Sequence, residues 1–461
     1  MFFTNFVLSS PAWAQNFLNL KTSEIFTTET PVKPLLEIDF TSLAYSSVSE
    51  FDHSTQQKAE LEFGLTKKGF IFSEVHLIAG SFSEKQSFYF AAPEFYIGIG
   101  DKNGNSVAAG RKIESYNFLD SYYNLGLYNS YFTNDFIDYK EQGLTGIHLQ
   151  MYNGMAGAFV GWQPYYIPSQ KPQVQEEDSR LTSTNRWAQR PPPQFQFAEQ
   201  NRPIQYLIRD YKISEIVNNQ GQSAKLFLGR NPMRPLVQIA YAHHPLNEIP
   251  LSRDTYGSAI DFVGHVHLSP VVTYQEVKSA DINFDYKNVQ TSFSYAEDQV
   301  ENKTVTQIET LQNMRPLKIY GFYAAADLQS LAQRELSVSL AMAEFEGGEI
   351  KDLTQDGKES IFTFSSLRTQ FKSPTTLGVS GELFWIKSKP LRSEVRWTYD
   401  RTFKGSLLSA QLNYETIGNM NIRLGVDLIG VESQLPALAV PSFLDRNQAN
   451  DRVFGGLHYA F

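Results

Sequence analysis

Cysteine is absent from the 461 residues, which removes disulfides, thiolate nucleophiles and zinc-thiolate sites together. No apolar run of about 18 residues follows the N-terminal segment, so the chain cannot cross a bilayer as helices. Excess positive charge is missing as well. A formal charge of -9 does not suit general phosphate neutralisation, and nucleic acid is excluded as a partner. Abundant instead are aromatics, 24 Tyr and 34 Phe, residues that favour strands and sit at membrane interfaces.

The first fourteen residues read as the end of an export signal. Phe2, Phe3, Phe6, Val7 and Leu8 are apolar, and Ala12-Trp13-Ala14 has the small-x-small form cleaved before Gln15. Residues 15–33 are then expected to be a periplasmic segment and 34–461 a single folded unit.

From residue 34 onward the governing pattern has period two, which sends alternate side chains to opposite faces of a strand. Leu391, Ser393, Val395, Trp397 and Tyr399 share one face of 391–401, and Arg392, Glu394, Arg396, Thr398 and Asp400 share the other. The core of a soluble sandwich has no use for that second face. Met420, Ile422, Leu424, Val426 and Leu428 likewise oppose Asn419, Asn421, Arg423, Gly425 and Asp427. Ala59, Leu61 and Phe63 alternate with Lys58, Glu60 and Glu62. Similar segments recur to the end of the chain, among them 257–267, 270–277, 280–287 and 360–370. Tight turns such as Lys67-Lys68, Asp101-Lys102-Asn103-Gly104 and Asn153-Gly154 interchange with long connections at 113–142 and 165–222. Short periplasmic turns and long external loops belong to an all-β fold, an antiparallel transmembrane barrel in the outer membrane of a Gram-negative cell. Its strands should number roughly 18 to 22, because the segments come out odd, a bacterial barrel is even, and 257–316 holds the miscount.

The chain ends Arg452-Val453-Phe454-Gly455-Gly456-Leu457-His458-Tyr459-Ala460-Phe461, with Val453, Leu457, Tyr459 and Phe461 on one face. This resembles the C-terminal β-signal of bacterial outer-membrane proteins. Gly456, Tyr459 and Phe461 match its glycine and its last two hydrophobic positions, while Phe454 stands where a polar residue is usual. The resemblance implies that the barrel-assembly machinery is a partner. Ala109-Gly110-Arg111-Lys112, Phe118-Leu119-Asp120, Leu125-Gly126-Leu127-Tyr128, Asp135 and Gly143-Leu144-Thr145-Gly146 are together similar to the strand, inserted loop and next strand of larger porin-like proteins. That resemblance implies that 113–142 folds into or across the barrel mouth.

Arg392, Glu394, Arg396, Asp400, Arg423 and Asp427 are the pore-lining candidates. Charges of both signs on a wet wall set up a transverse field that steers ions, although structural ion pairs that merely hold the wall are the more common role of such residues. The long segment 165–222 offers Arg186, Trp187, Arg190, Arg202 and Arg209 as candidates for solute contact, by aromatic stacking and bidentate guanidinium bonds; a surface or plug loop is the alternative. His265 and His267 share a strand face and His243-His244 precede Pro245, yet no acidic ligands accompany them, so no metal is expected. Asp101, Asn103 and Asn105 imitate the start of a calcium loop, but Lys112 stands where the bidentate glutamate belongs, and a hairpin turn accounts for them better. No Ser, His and acid spacing points to catalysis, and no cofactor is expected.

The leading functional expectation is a porin-like channel in outer-membrane lipid for small polar solutes, narrowed by 113–142 and 165–222. The alternative is a plugged structural or adhesive barrel binding a surface polymer or partner protein, with a lipid-modifying barrel enzyme third. The oligomeric state is open.

Overall fold

The computed structural model describes residues 33–45, 55–82, 87–101, 104–172, 174–183, 185–188, 193–197, 199–231, 234–257, 263–302, 309–328, 334–353, 366–416, 419–432 and 442–460. The expected signal at 1–14 and nearly all of the segment 15–33 lie outside them.

Eighteen strands form one sheet in which every neighbouring pair is antiparallel. The sheet closes on itself because the first strand, Lys33–Tyr45, pairs with the last, Arg452–Ala460, from Glu37↔Ala460 to Tyr45↔Arg452. Closure leaves no barrel edge with unpaired N–H and C=O groups, as hydrocarbon demands.

Alternation decides which face meets lipid. Phe88, Phe90 and Ile97 are 81%, 61% and 60% exposed, and Leu226, Leu228, Val395, Trp397, Leu424 and Leu457 are exposed on other strands. So continuous an apolar exterior would be untenable in water and suits a bilayer. The inward positions between them are polar: Glu60 and Glu62 are buried opposite exposed Leu61 and Phe63. This is a multi-pass outer-membrane barrel.

Tight turns join the strands at the end where the described chain starts and finishes, the periplasmic end in barrels of this kind. Lys387 and Ser388 both adopt positive φ, 48° and 68°, the geometry of a two-residue hairpin whose twist matches its strands. Asn153 accepts the amides of Met155 and Ala156 in another. Asp101 accepts the backbone amide and side-chain amide of Asn105, closing the hairpin where a calcium loop was imitated. Gly110 (φ 130°) faces Gly146 across two strands, and a Cβ on it would stand 2.2 Å from the Phe95 carbonyl oxygen. Only glycine fits so close a strand passage.

At the other end the long loops build a separate seven-stranded sheet. It holds Gln194–Phe197, Gln200–Ile208, Leu251–Gly257, Gly264–Pro270, Glu309–Met314, Glu349–Leu353 and Ser366–Leu367, around a small core of Ile204, Tyr206, Val266 and Leu268. This sheet accounts for the strand miscount. Of segment 257–267 the described strand residues, Gly257 and 264–267, belong to it and not to the barrel, and of 360–370 only Ser366–Leu367 is a described strand. Segments 270–277 and 280–287 are one strand, Tyr274–Tyr286. Its inward residues Ser279 and Asp281 are polar because they face the lumen, and in sequence that polarity imitates a turn.

Val395 lies midway along Lys389–Asp400 with its side chain outward. Val395→Arg should therefore cost roughly 2 to 4 kcal/mol in a lipid-bilayer unfolding titration if it sits near the midplane. An unchanged midpoint would mean that this face does not meet hydrocarbon.

Candidate functional site: the lumen and its inserted loop

Residues 113–143 leave the rim after Lys112 and enter the barrel. Their one helical turn, Phe118–Tyr123, is started by Asn117, whose side chain accepts the Asp120 amide, and stopped at Asn124 in the left-handed region. Asp120 is 3% exposed and accepts the amides of Leu127 and Tyr128 at 2.9 and 3.2 Å, folding the segment after the helix back on itself.

Wall residues fix this knot on one side of the lumen. Asp281 accepts the Asn117 side-chain amide at 2.7 Å and the Phe118 backbone amide at 2.9 Å. Tyr116 bonds Ser223 at 2.8 Å and Tyr128 bonds Ser279 at 2.7 Å, and the two tyrosine rings stack at 4.6 Å. His244 and Gln275 both engage the Leu127 carbonyl. Tyr122 and Tyr123 bury their rings against Tyr323, Phe345 and Phe371. The rings supply apolar area and the hydroxyls of Tyr116, Tyr123 and Tyr128 find partners on the wall, so a polar wall accepts an aromatic plug.

The remainder of the loop reaches the opposite wall. Ser130–Phe132 and Lys140–Gln142 form a hairpin, and in the segment that connects them Asp138 bonds Lys58 at 3.1 Å, while Lys58 bonds Glu60 at 3.0 Å. Lys140 lies 3.7 Å from Asp138 and 3.8 Å from Glu60. Asp135 pairs with Arg452, which also bonds Asp427 at 2.6 Å. Between this tip and the wall lies a cavity of about 110 Å³. Its carboxylates are Glu37, Asp39, Glu60 and Glu62 from the first two strands, Asp135 and Asp138 from the loop, and Glu394 and Asp427 from the late strands. Its cations are Lys58, Lys140, Arg423 and Arg452, with His458 beside them.

Of the six residues proposed from sequence for the pore wall, Glu394, Arg423 and Asp427 line this cavity. Arg396 faces inward but is occupied with the loop, its guanidinium 4.7 Å from the Tyr122 ring centre and 3.4 Å from the Tyr122 carbonyl. Asp400 is fully buried and caps the turn after its strand through the amides of Thr402 and Phe403. Arg392 pairs with Glu335 and Glu382 toward the periplasmic end.

The loop residues proposed for solute contact lie elsewhere. Arg186 is buried, bonded to Asn450 at 3.1 Å and lying 3.9 Å over the Tyr45 ring. Trp187 is buried between Phe136 and Phe443. Both knit three external loops together and neither is open to a solute. Arg202 bonds Gln200, and Arg209 bonds Asp254 and His267 in the outer sheet. Arg190 falls outside the described residues. His243 stacks on Tyr274 while His244 turns to the opposite face, so the pair does not converge. Among the described residues no cluster of three or more His, Asp or Glu could hold a metal ion, and no helix is long and apolar enough to cross a membrane.

Glu37, Asp39, Asp135, Asp138, Lys140, Arg452 and His458 are not among the pore-lining residues expected from sequence. The signal was within reach: Glu37 and Asp39 alternate with Leu36, Ile38 and Phe40, and Lys58, Glu60 and Glu62 had already been assigned to one face.

Burial drives the Asp120 carboxyl up to about 6, partly offset by the Leu127 and Tyr128 amides. Burial opposes ionisation of Glu114 too, yet Lys112 and Lys225 hold that carboxyl down at about 2. A raised carboxyl favours its neutral form, so docking of the loop weakens as pH climbs from about 4 to 6; a lowered one contributes down to about 4 and is lost below it. Burial raises Glu141 in the same loop to about 7, so protease cleavage within 113–142 should rise between pH 4 and 7, and Asp120→Asn should reduce the part of that rise below pH 6. A rise below pH 6 that is undiminished in Asp120→Asn would assign it to another group.

No family model matches the chain, and no curated protein matches it. Among solved structures it is similar to Acinetobacter baumannii OccAB4, with 8% identity over 94% of this chain and 99% of the other and a TM-score of 0.47. A BenF-like porin from Pseudomonas fluorescens Pf-5 matches at 7% identity over 93% and 97%, with a TM-score of 0.46. Pseudomonas aeruginosa OccK2 in complex with glucuronate gives 7% identity over 93% and 96%, with the same TM-score.

Proposed function

We propose that the protein is a porin-like channel through which small polar solutes cross the outer membrane. The observation that carries this reading is the charged cavity between the loop tip and the wall of the first two and last four strands. A purely structural plug would gain by filling that space with side chains, because each void forfeits dispersion contacts. Here the space is lined with acidic and basic side chains, which are best accommodated where water reaches them. Purified protein in planar bilayers should give stepwise currents that scale with salt. A correctly folded barrel that never conducts overturns the reading.

One observation favours the adhesive alternative: the outer sheet exposes Leu207 and Ile208, and Tyr211 and Ile213 follow them. Loss of binding to cells or to a surface polymer on deletion of 170–215, with conductance intact, would support it. The assembly machinery enters the proposal through the last strand. Gly456 lies against the first strand, where a Cβ would come within 2.8 Å of the Phe40 carbonyl oxygen, and Tyr459 faces lipid; Phe461 lies outside the described residues.

A further inference from the structure

The cavity holds twice as many carboxylates as Lys and Arg side chains, and its cations are already committed. Lys58 and Lys140 serve Glu60 and Asp138, Arg452 serves Asp135 and Asp427, and Arg423 lies 3.5 Å from Asp39. Glu37, Glu62 and Glu394 have no Lys or Arg at ion-pair distance among the described residues. Glu394 has the Gln411 amide at 2.8 Å, and Glu62 has His76 at 2.7 Å. Glu37 is 3% exposed, the basic side chain nearest to it is the His458 imidazole at 3.8 Å, and its Oε1 has no hydrogen-bond partner.

Glu37 and Glu62 are direct cross-strand partners, so their carboxylates project side by side into the same cavity. Like charges directly opposite each other on a sheet are destabilising, and a buried carboxylate without a partner costs more still. A pair of this kind, placed on the periplasmic side of the loop's ion pairs, is complementary to a visiting cation. An ammonium or guanidinium carries several N–H donors and can bridge two carboxylates, whereas an anion meets uncompensated repulsion.

We propose that the passage selects cations and that Glu37 and Glu62 form a recognition point in it for small organic solutes carrying an ammonium or guanidinium group. The inference rests on the channel reading, and its test keeps the two apart. Full-length protein in planar bilayers under a KCl gradient should give a reversal potential of the sign that marks potassium over chloride. L-arginine or putrescine should interrupt the current, and L-glutamate at the same concentration should not. In Glu37→Gln/Glu62→Gln the reversal potential should move toward zero and the arginine blockades should become several-fold rarer. Chloride preference, or blockade by glutamate as frequent as by arginine, overturns the inference while leaving the channel standing. Cation preference and blockade unchanged in the double variant overturn the Glu37–Glu62 assignment. If the double variant does not fold, the single variants Glu37→Gln and Glu62→Gln serve the same measurement. If wild-type protein carries no current, the channel reading falls, and calorimetric titration of the purified barrel with arginine still decides the site: heat that disappears in the variant supports it, and none in either protein refutes it.

Discussion

Arg452→Ala should destabilise the barrel by about 3 to 5 kcal/mol, the cost of breaking a buried ion pair from one side. The arginine joins three elements. It stands at the start of the last strand, bonds Asp427 on the neighbouring strand, and holds Asp135 at the tip of the inserted loop. Its side chain and that of Asp427 are 6% and 4% exposed, so truncation strands two carboxylates in a confined space. Unfolding in urea from lipid vesicles measures the loss. Replacing Arg452 and Asp427 together by Leu should recover most of it, because an apolar pair leaves fewer charges uncompensated. A single variant as stable as wild type would mean that Asp135 and Asp427 are already hydrated and that the loop tip is not fastened there.

Excising residues 113–143 should raise single-channel conductance several-fold, more than any change at the mouth. Lys112 and Leu144 are register partners on adjacent antiparallel strands, so a short hairpin can replace the whole insertion without disturbing the barrel. What is lost is an aromatic mass anchored to Ser223, Ser279, Asp281 and Lys58. Removing 170–215 should alter entry far less, since that segment contributes the outer sheet and the Trp187 packing instead of the lumen filling. Equal conductance in both deletions would show that the constriction lies elsewhere.

The barrel was legible in sequence because lipid and lumen impose opposite demands on alternate residues. At 391–401 and 419–428 the two faces separate completely, and the structure places Val395, Trp397 and Leu424 outward. The lower bound of the expected strand number is the one found. Legibility failed where a polar lumen and a polar turn look alike, as in Tyr274–Tyr286, and where strands of the outer sheet share the barrel's period. The site was harder to see. Which inward charges meet depends on where the loop tip lands, and nothing local to Asp135 or Asp138 specifies that they lie against Lys58 and Arg452, hundreds of positions away in the second case. The same ignorance of partners made Arg186 and Trp187 look available when packing had consumed them.

The closing pair of strands differs from every other pair in the ring. Elsewhere neighbours are tethered through a turn or a loop, whereas Lys33–Tyr45 and Arg452–Ala460 are joined only through the whole intervening chain. Loop-closure entropy grows by about 0.6 kcal/mol for each doubling of length, so bringing these two together costs about 4 to 5 kcal/mol more than closing a hairpin. Nine residue pairs carry the seam, and with hydrogen bonds at about 0.5 to 1.5 kcal/mol each in water, and more where water is scarce, roughly half of that contact is spent before any net gain. The ring is therefore weakest along one vertical line. The ion pairs Arg423–Asp39 and Arg452–Asp427 sit on or beside it, so the acidic passage and the seam share residues, and a substitution chosen to alter what passes through also alters how firmly the cylinder stays shut.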